Sequence, residues 1–326
     1  MRLSRRALLG AGATLAMPAL MPRAQAQSDY PNRPIQLIVP FPAGGPADVT
    51  ARILAEDMAR RLGQGIVIEN KAGAGGNIGA GAASRAEPNG YTLFWASGGT
   101  HGINPSLYKK IPYDPVRDFR GVALGCTLAN VFVAHKKFPA SDMAGLIAYA
   151  KANPGKVSYA SAGIGTTTHM SAELLRAMTG IDLVHIPYRG GGPAMNDLIG
   201  GHVELMVDGL PTSLPHIQSG ALKALAVTPA KPDPSAPGIP SVGTTISGYE
   251  TVAWFALLAQ AKTPDVIVSR LNEAANAALS SADVRKRYAD LGVHPGSGTP
   301  ADLDAFIAAE LTKWRGVVEA TRISAE

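Results

Sequence analysis

Short apolar runs alternate with amphipathic stretches along almost the whole 326-residue chain. Ile35–Val39 is nearly continuous in apolar residues, the pattern of a strand buried on both faces. From Pro46 to Leu62 the period becomes helical. Val49, Ile53, Leu54, Met58 and Leu62 share one face, and Arg52, Glu56, Arg60 and Arg61 the other. Pro46 suits a first helical position, Asp48 complements the positive end of the helix dipole, and Gly63 supplies the stop. The same alternation predicts strands at 66–69, 92–95, 131–134, 157–161, 183–187, 203–207, 222–227 and 252–260. It predicts helices at 78–85, 143–152, 166–178, 193–199 and 214–218. Two C-terminal helical segments start at Thr263-Pro264-Asp265 and Thr299-Pro300-Ala301-Asp302. Alternating βα units argue for an α/β fold, a parallel sheet with helices on both faces.

Polar chemistry collects where strands give way to helices. Two glycine-rich turns stand out, Pro40-Phe41-Pro42-Ala43-Gly44-Gly45-Pro46-Ala47-Asp48 and Ser161-Ala162-Gly163-Ile164-Gly165-Thr166-Thr167-Thr168-His169. Such a turn at a helix start points bare N–H groups outward, and the dipole adds partial positive charge. Two of them in separate βα arrays suggest an anion held between two lobes. Phe41, Pro42, Ala43, Gly44 and Gly45 are the candidate contacts in the first; glycines that merely permit the connection are the plainer reading. Asp48 would repel a bound carboxylate, so stabilising the helix start is as good a role for it as ligand contact. In the second turn Gly163 and Gly165 expose backbone, while Thr166 and Thr167 add hydroxyls beyond the single one a cap needs. His169 is either an anion donor or a partly buried structural histidine. Ser97, Gly98 and Thr100 end a strand where ligands of parallel sheets collect. Asp208 ends another, to receive an amine or hydroxyl or to orient loop 163–169. Tyr188 and Arg189 follow a third; Arg189 is strongly cationic, with a solvated surface arginine as its plain alternative.

Charge changes meaning once the first 26 residues are set apart. Arg2, Arg5 and Arg6 precede an apolar stretch, Ala7 to Met21, too short to span a bilayer, and Ala24-Gln25-Ala26 forms a small-residue cleavage site. The arginine pair before that stretch is the pattern of a twin-arginine export signal. This segment holds four of the 30 basic residues and none of the 25 acidic ones. The rest of the chain is therefore close to neutral, and a nucleic-acid role loses its support. Cys126 is the sole cysteine and the seven histidines are scattered, so no metal or redox cofactor is expected.

Other motifs fail on their own terms. Gly73 to Gly81 resembles a dinucleotide fingerprint, but Ile78 stands where the third glycine belongs and no acidic residue follows the next strand. Ser161 lacks the first glycine of a nucleophile elbow. Arg189-Gly190-Gly191-Gly192 lacks the Lys-Ser/Thr of a phosphate-binding loop.

Several strings together carry a family resemblance: Tyr30-Pro31-Asn32-Arg33-Pro34-Ile35, the loop 40–48, Glu69-Asn70-Lys71-Ala72-Gly73-Ala74-Gly75-Gly76-Asn77-Ile78-Gly79, Pro88-Asn89-Gly90-Tyr91-Thr92-Leu93, Pro112-Tyr113-Asp114-Pro115 with Asp118-Phe119, Ala160 through His169, His185-Ile186-Pro187-Tyr188-Arg189-Gly190, and Trp254-Phe255. The chain resembles the Bug-type substrate-binding receptors of tripartite tricarboxylate transporters. The resemblance implies a two-lobed periplasmic-binding-protein fold of the Venus-flytrap type, with two inter-lobe crossings and no catalysis. It implies an export signal at 1–26, a first lobe built from 27–125 and 250–326, and a second lobe at 126–249. It also implies that Pro42–Gly45 approaches a ligand carboxylate through backbone groups and water. The expected partners are a small carboxylate and membrane permease subunits, with the receptor itself a monomer in the periplasm. The alternative is an exported α/β hydrolase with Ser161 as nucleophile.

Overall fold

The computed structural model describes residues 30–321 and 323–325. The predicted export signal lies outside the described residues. Two sheets organise the rest. The first has the strand order β11-β4-β10-β3-β1-β2, built from β1 (Ile35–Val39), β2 (Ile66–Asn70), β3 (Thr92–Ser97), β4 (Phe119–Leu128), β10 (Ala253–Gln260) and β11 (Val293–Pro295). The second has the order β7-β6-β8-β5-β9, from β5 (Asn130–His135), β6 (Val157–Ser161), β7 (Leu183–Pro187), β8 (Leu205–Gly209) and β9 (Leu222–Val227). The chain crosses between them after Leu128 and again between β9 and β10.

Helices cover both sheets, and their ends follow local sequence. α1 (Pro46–Leu62) has proline in its first turn, and Gly63 closes it at φ 71° by donating its N–H to Ala59 O. α2 is Asn77–Ser84, and α3 is Asn104–Leu107. α4 (Met143–Ala152) is capped by Asp142, which accepts from the Gly145 N–H. α5 (Thr167–Thr179) is capped by Thr166 and ended by Gly180 at φ 68°. α6 (Gly191–Gly200) and α7 (Leu210–Gln218) flank β8 in sequence. Phe132, Tyr159 and Leu205 pack one face of the second sheet, and Val131, Ala160 and Met206 the other. Alternation along three strands thus fills both of its faces.

Three sequence expectations need correction. The sheets are mixed rather than parallel: β10 runs antiparallel to β3 and β4, and β5 antiparallel to β8 and β9. A crossing strand enters its new sheet from the edge where the βα strands end, so it must run against them. Second, β4 is a ten-residue strand in a stretch where periodicity predicted none. Its glycines are set by distant neighbours: a Cβ on Gly125 would overlap the Trp95 ring and one on Gly121 would lie 2.9 Å from Pro300 O. They are glycines of close approach. Third, three C-terminal helices replace two, α8 (Asp265–Leu279), α9 (Ala282–Asp290) and α10 (Pro300–Thr321), because Ser281 caps a new start by accepting from the Val284 N–H.

Candidate functional site

A cavity opens where the strands of both sheets end. Its walls include Phe41, Pro42 and Gly45–Ala47 from the first cradle, Ser97–Gly99 after β3, and Ala162 with Thr166–Thr168 from the second cradle. Gly191, Gly192, Asp208, Leu128, Asn130 and Ala253–Phe255 complete it. Three helices of ten or more residues, α1, α5 and α6, begin on this space. Their free N–H groups and dipoles add up to a positive potential. No lysine, arginine or histidine lines the walls. The cavity therefore offers positive potential through backbone groups rather than cationic side chains.

The first cradle is braced from behind. Asp48, 3% exposed, is not in the cavity wall. Its Oδ2 accepts from the Gly44 N–H at 3.0 Å and from Arg52 Nε at 2.9 Å. Asn70 Nδ2 donates to Asp48 Oδ1 at 2.9 Å and to Phe41 O at 2.9 Å. Burial alone would raise this carboxyl's pKa, but the hydrogen bonds from Arg52, Gly44 and Asn70 outweigh it and hold it below the usual range. Ala43 and Gly44 also lie outside the wall, with Gly44 at φ 82°. Of the two roles open to Asp48, ligand contact and stabilising the helix start, its hydrogen bonds serve the second and also fix the loop's shape.

After β3 the chain turns directly into a π-helical turn, Gly99–Ile103. Ser97 and Gly98 reach the cavity; Thr100, fully buried, does not. Thr100 Oγ1 accepts from the Ser97 N–H at 3.1 Å, and Ser97 Oγ accepts from the Thr100 N–H at 3.3 Å.

The second cradle consumes most of its own hydroxyls. Thr166 Oγ1 donates to Gly163 O at 2.7 Å and accepts from the His169 N–H at 3.3 Å. Thr168 Oγ1 accepts from the Ala162 N–H at 3.1 Å. The Thr167 hydroxyl has no hydrogen-bond partner among the described residues and lies in the wall. His169 is 5% exposed and outside the wall, and its Nδ1 accepts from the Gly165 N–H at 3.3 Å. Burial lowers its pKa to about 4, so the ring is neutral and serves as an acceptor for the loop. His185 stacks on it at 4.3 Å between centroids, and burial, followed by the repulsion that two protonated rings so close would feel, lowers its pKa to about 3.

Ser161 and His185 do form the pair that a hydrolase requires, with Oγ and Nε2 2.7 Å apart. Ser161 is 0% exposed, accepts from the Gly163 N–H at 3.1 Å, and is absent from the cavity wall. A nucleophile must reach its substrate; this serine holds a loop.

Asp208 sits in the wall at 1% exposure. Its Oδ2 accepts from the hydroxyls of Thr212 and of Ser213, the latter at 3.0 Å. Burial raises its pKa, and those hydrogen bonds only partly offset the rise. Gly163 and Tyr188 belong to a second cavity next to the first, lined by Phe41, Gly73–Gly76, Tyr108, Ala162–Ile164 and Pro187–Arg189. Tyr188 Oη donates to Asp197 Oδ2 at 2.6 Å. The two lobes touch here: Tyr108 Oη donates to Ile164 O at 3.1 Å, and a Cβ on Gly165, at φ 80°, would overlap Asn104.

Sequence reasoning missed Leu128 and Asn130 at the first crossing and gave no role to Trp254 and Phe255. Asn130 is 1% exposed, with its N–H donating to Thr228 Oγ1 at 3.2 Å and its Nδ2 to Ser171 Oγ at 3.4 Å. The available signal was a lone polar residue between two apolar runs. Among the described residues no cluster of three metal-ligating side chains occurs, and no helix is long and apolar enough to cross a membrane.

Residues 50–323 match the model of the tripartite tricarboxylate transporter family receptor. The chain is 40% identical over 296 residues to the protein BugT of Bordetella pertussis, covering 90% of each. Among solved structures, an R. palustris protein with adipate superposes at a TM-score of 0.88, with 35% identity, over 91% of this chain and 99% of that one. The periplasmic binding protein BugD gives 0.87 and 36% identity, over 90% and 99%. MatC of Rhodopseudomonas palustris with bound malate gives 0.85 and 35%, over 89% and 100%. With a family model across most of its length and relatives of this identity end to end, the chain belongs to the receptor family of tripartite tricarboxylate transporters and is a binding receptor rather than an enzyme.

Proposed function

We propose that this receptor closes its two lobes over a small organic carboxylate and delivers it to a membrane permease. The observation that carries the reading is the convergence of three helix starts on a cavity without a cationic side chain. Such a site suits a compact anion, which N–H groups stabilise without a full counter-charge. Relatives solved with adipate and with malate support the ligand class. In this reading lobe one comprises 27–125 and 250–326, and lobe two 126–249. Phe41, Pro42, Gly45, Ser97, Gly98, Thr166, Thr167 and Asp208 meet the ligand space, Ala43, Gly44, Asp48, Thr100, Gly165 and His169 shape the loops around it, and Gly163 and Tyr188 line the adjoining cavity. A ligand contacting both lobes favours closure by its differential affinity for the closed form.

Residues 1–26 direct export to the periplasm by the twin-arginine route, and the receptor works there as a monomer. Replacing Arg5 and Arg6 by lysine should leave precursor in the cytoplasm; unchanged periplasmic yield would exclude that route.

The functional reading is tested by a thermal-shift screen of mono-, di- and tricarboxylates, each beside its neutral amide. At least one acid should raise the melting temperature and its amide should not. Equal shifts from acid and amide would remove the anion from the account.

A further inference from the structure

The cavity at the helix starts accommodates one anionic group and opposes a second. Its donors lie at the cradles, after β3 and at the start of α6 (Gly191, Gly192), whereas its remaining walls are apolar (Leu128, Trp254, Phe255) apart from Asn130 and the buried carboxyl of Asp208. A second carboxylate kept inside would face that carboxyl with no cation to offset it. The adjoining cavity is different. It shares Phe41 and Ala162 with the first, so the two spaces meet at those side chains. Its tyrosine hydroxyls are already engaged, Tyr108 with Ile164 O and Tyr188 with Asp197. Arg189 is exposed, forms no hydrogen bond or ion pair among the described residues, and is the single lysine or arginine in the walls of either space.

We propose that Arg189 selects for elongated dicarboxylates. One carboxylate of the ligand sits at the helix starts, its chain passes between Phe41 and Ala162, and its far carboxylate reaches the Arg189 guanidinium. This assignment rests on the carboxylate-receptor reading and adds to it a length and a second charge. Arginine suits the role because its fork matches a carboxylate and stays charged at any working pH.

The test is calorimetric titration of the mature protein with α,ω-dicarboxylates from succinate to suberate, each beside the monocarboxylate of equal length. In the parent, one of the longer diacids, adipate for example, should bind about five- to tenfold tighter than its monoacid, a ratio in keeping with one charge-assisted contact in a half-open site. Arg189→Gln should erase that ratio and leave the monoacid's Kd within about twofold. Arg189→Lys should retain part of the ratio. The proposal fails if no diacid outbinds its monoacid in the parent, if Arg189→Gln leaves the ratio intact, or if it weakens diacid and monoacid alike, the mark of a general field rather than a contact. Monoacid binding without diacid preference would overturn only the role of Arg189. Binding of no carboxylate at all would overturn the receptor reading with it.

Discussion

The two cradles look alike in sequence and are built in opposite ways. In the first, the bracing group is an ionised carboxylate: Asp48 accepts from Gly44, Arg52 and Asn70 and holds loop 41–45 from outside the cavity. In the second, the bracing groups are neutral: Thr166 and Thr168 close on the loop itself, and the uncharged His169 ring accepts from Gly165. Both arrangements spend side chains on shape and leave the helix starts in the cavity wall. The lesson is that a glycine turn becomes an anion cradle only when something fixes it, and the fixing residues need not touch the anion.

The comparison breaks most visibly with acid. Burial holds His169 at about 4 and His185 at about 3, against an ordinary 6.5 in the unfolded chain. As pH falls below 6.5 the unfolded chain takes up protons that the fold refuses, so the stability present above 6.5 drains as pH drops toward 4. For His169 alone this amounts to on the order of 3 kcal/mol, at about 1.4 kcal/mol per pKa unit. His294, whose pKa is raised by its hydrogen bond to Asp233, pulls the other way, but it is half-exposed and counts for less. The melting temperature should fall between pH 6.5 and 5, where few carboxylates titrate; fully buried His101, held at about 3 by burial, adds to the fall with His185, so His169→Gln should lessen it without abolishing it. A level profile over that range would remove the neutral brace.

Asp48→Asn attacks the other cradle. It replaces an ionised acceptor of three donors with a neutral amide, which should cost about 2–3 kcal/mol of stability. Carboxylate affinity should drop at least tenfold as the loop loses its shape. Because Asp48 stays ionised well below neutrality, this cradle should not share the acid sensitivity of the second between pH 6.5 and 5.

The contrast between these cradles was only partly legible in the sequence. Both glycine turns, the start and stop of α1, and the strands Ile35–Val39, Val157–Ser161, Leu183–Pro187 and Leu222–Val227 follow from local periodicity and turn chemistry. Placing Asp48, Thr100 and His169 behind their loops required knowing where Asn70, Ser97 and Gly165 lie. Of those pairings, Asp48 with Asn70 depends on how β2 aligns beside β1, whereas the ion pair of Asp48 with Arg52 is local, four residues apart in α1. The crossing strand β4 was hidden because its glycines answer to Trp95 and to the segment at Pro300, both distant in sequence. Asn130 was missed for the same reason, since its partners Thr228 and Ser171 are 98 and 41 residues away.

Smaller effects sharpen the comparison within the second cradle. Thr167→Val removes the hydroxyl without an internal partner and should weaken carboxylate binding about tenfold, or about 1.4 kcal/mol, with little change in melting temperature. Thr166→Val removes the cap instead. It should cost about 1 kcal/mol of stability, with a smaller loss of affinity. Calorimetry beside thermal melting separates the two; a reversed pattern would exchange their roles.

In the proposed receptor, backbone amides of both lobes hold one carboxylate. A crystal structure of the mature protein, soaked with the acid that gives the largest thermal shift, tests it most directly. A carboxylate should lie within hydrogen-bond distance, directly or through one water, of N–H groups from 42–47 or 98–99 and also from 166–168. A carboxylate bound to one lobe alone, or neutralised by a lysine or arginine side chain in that cavity, would contradict it.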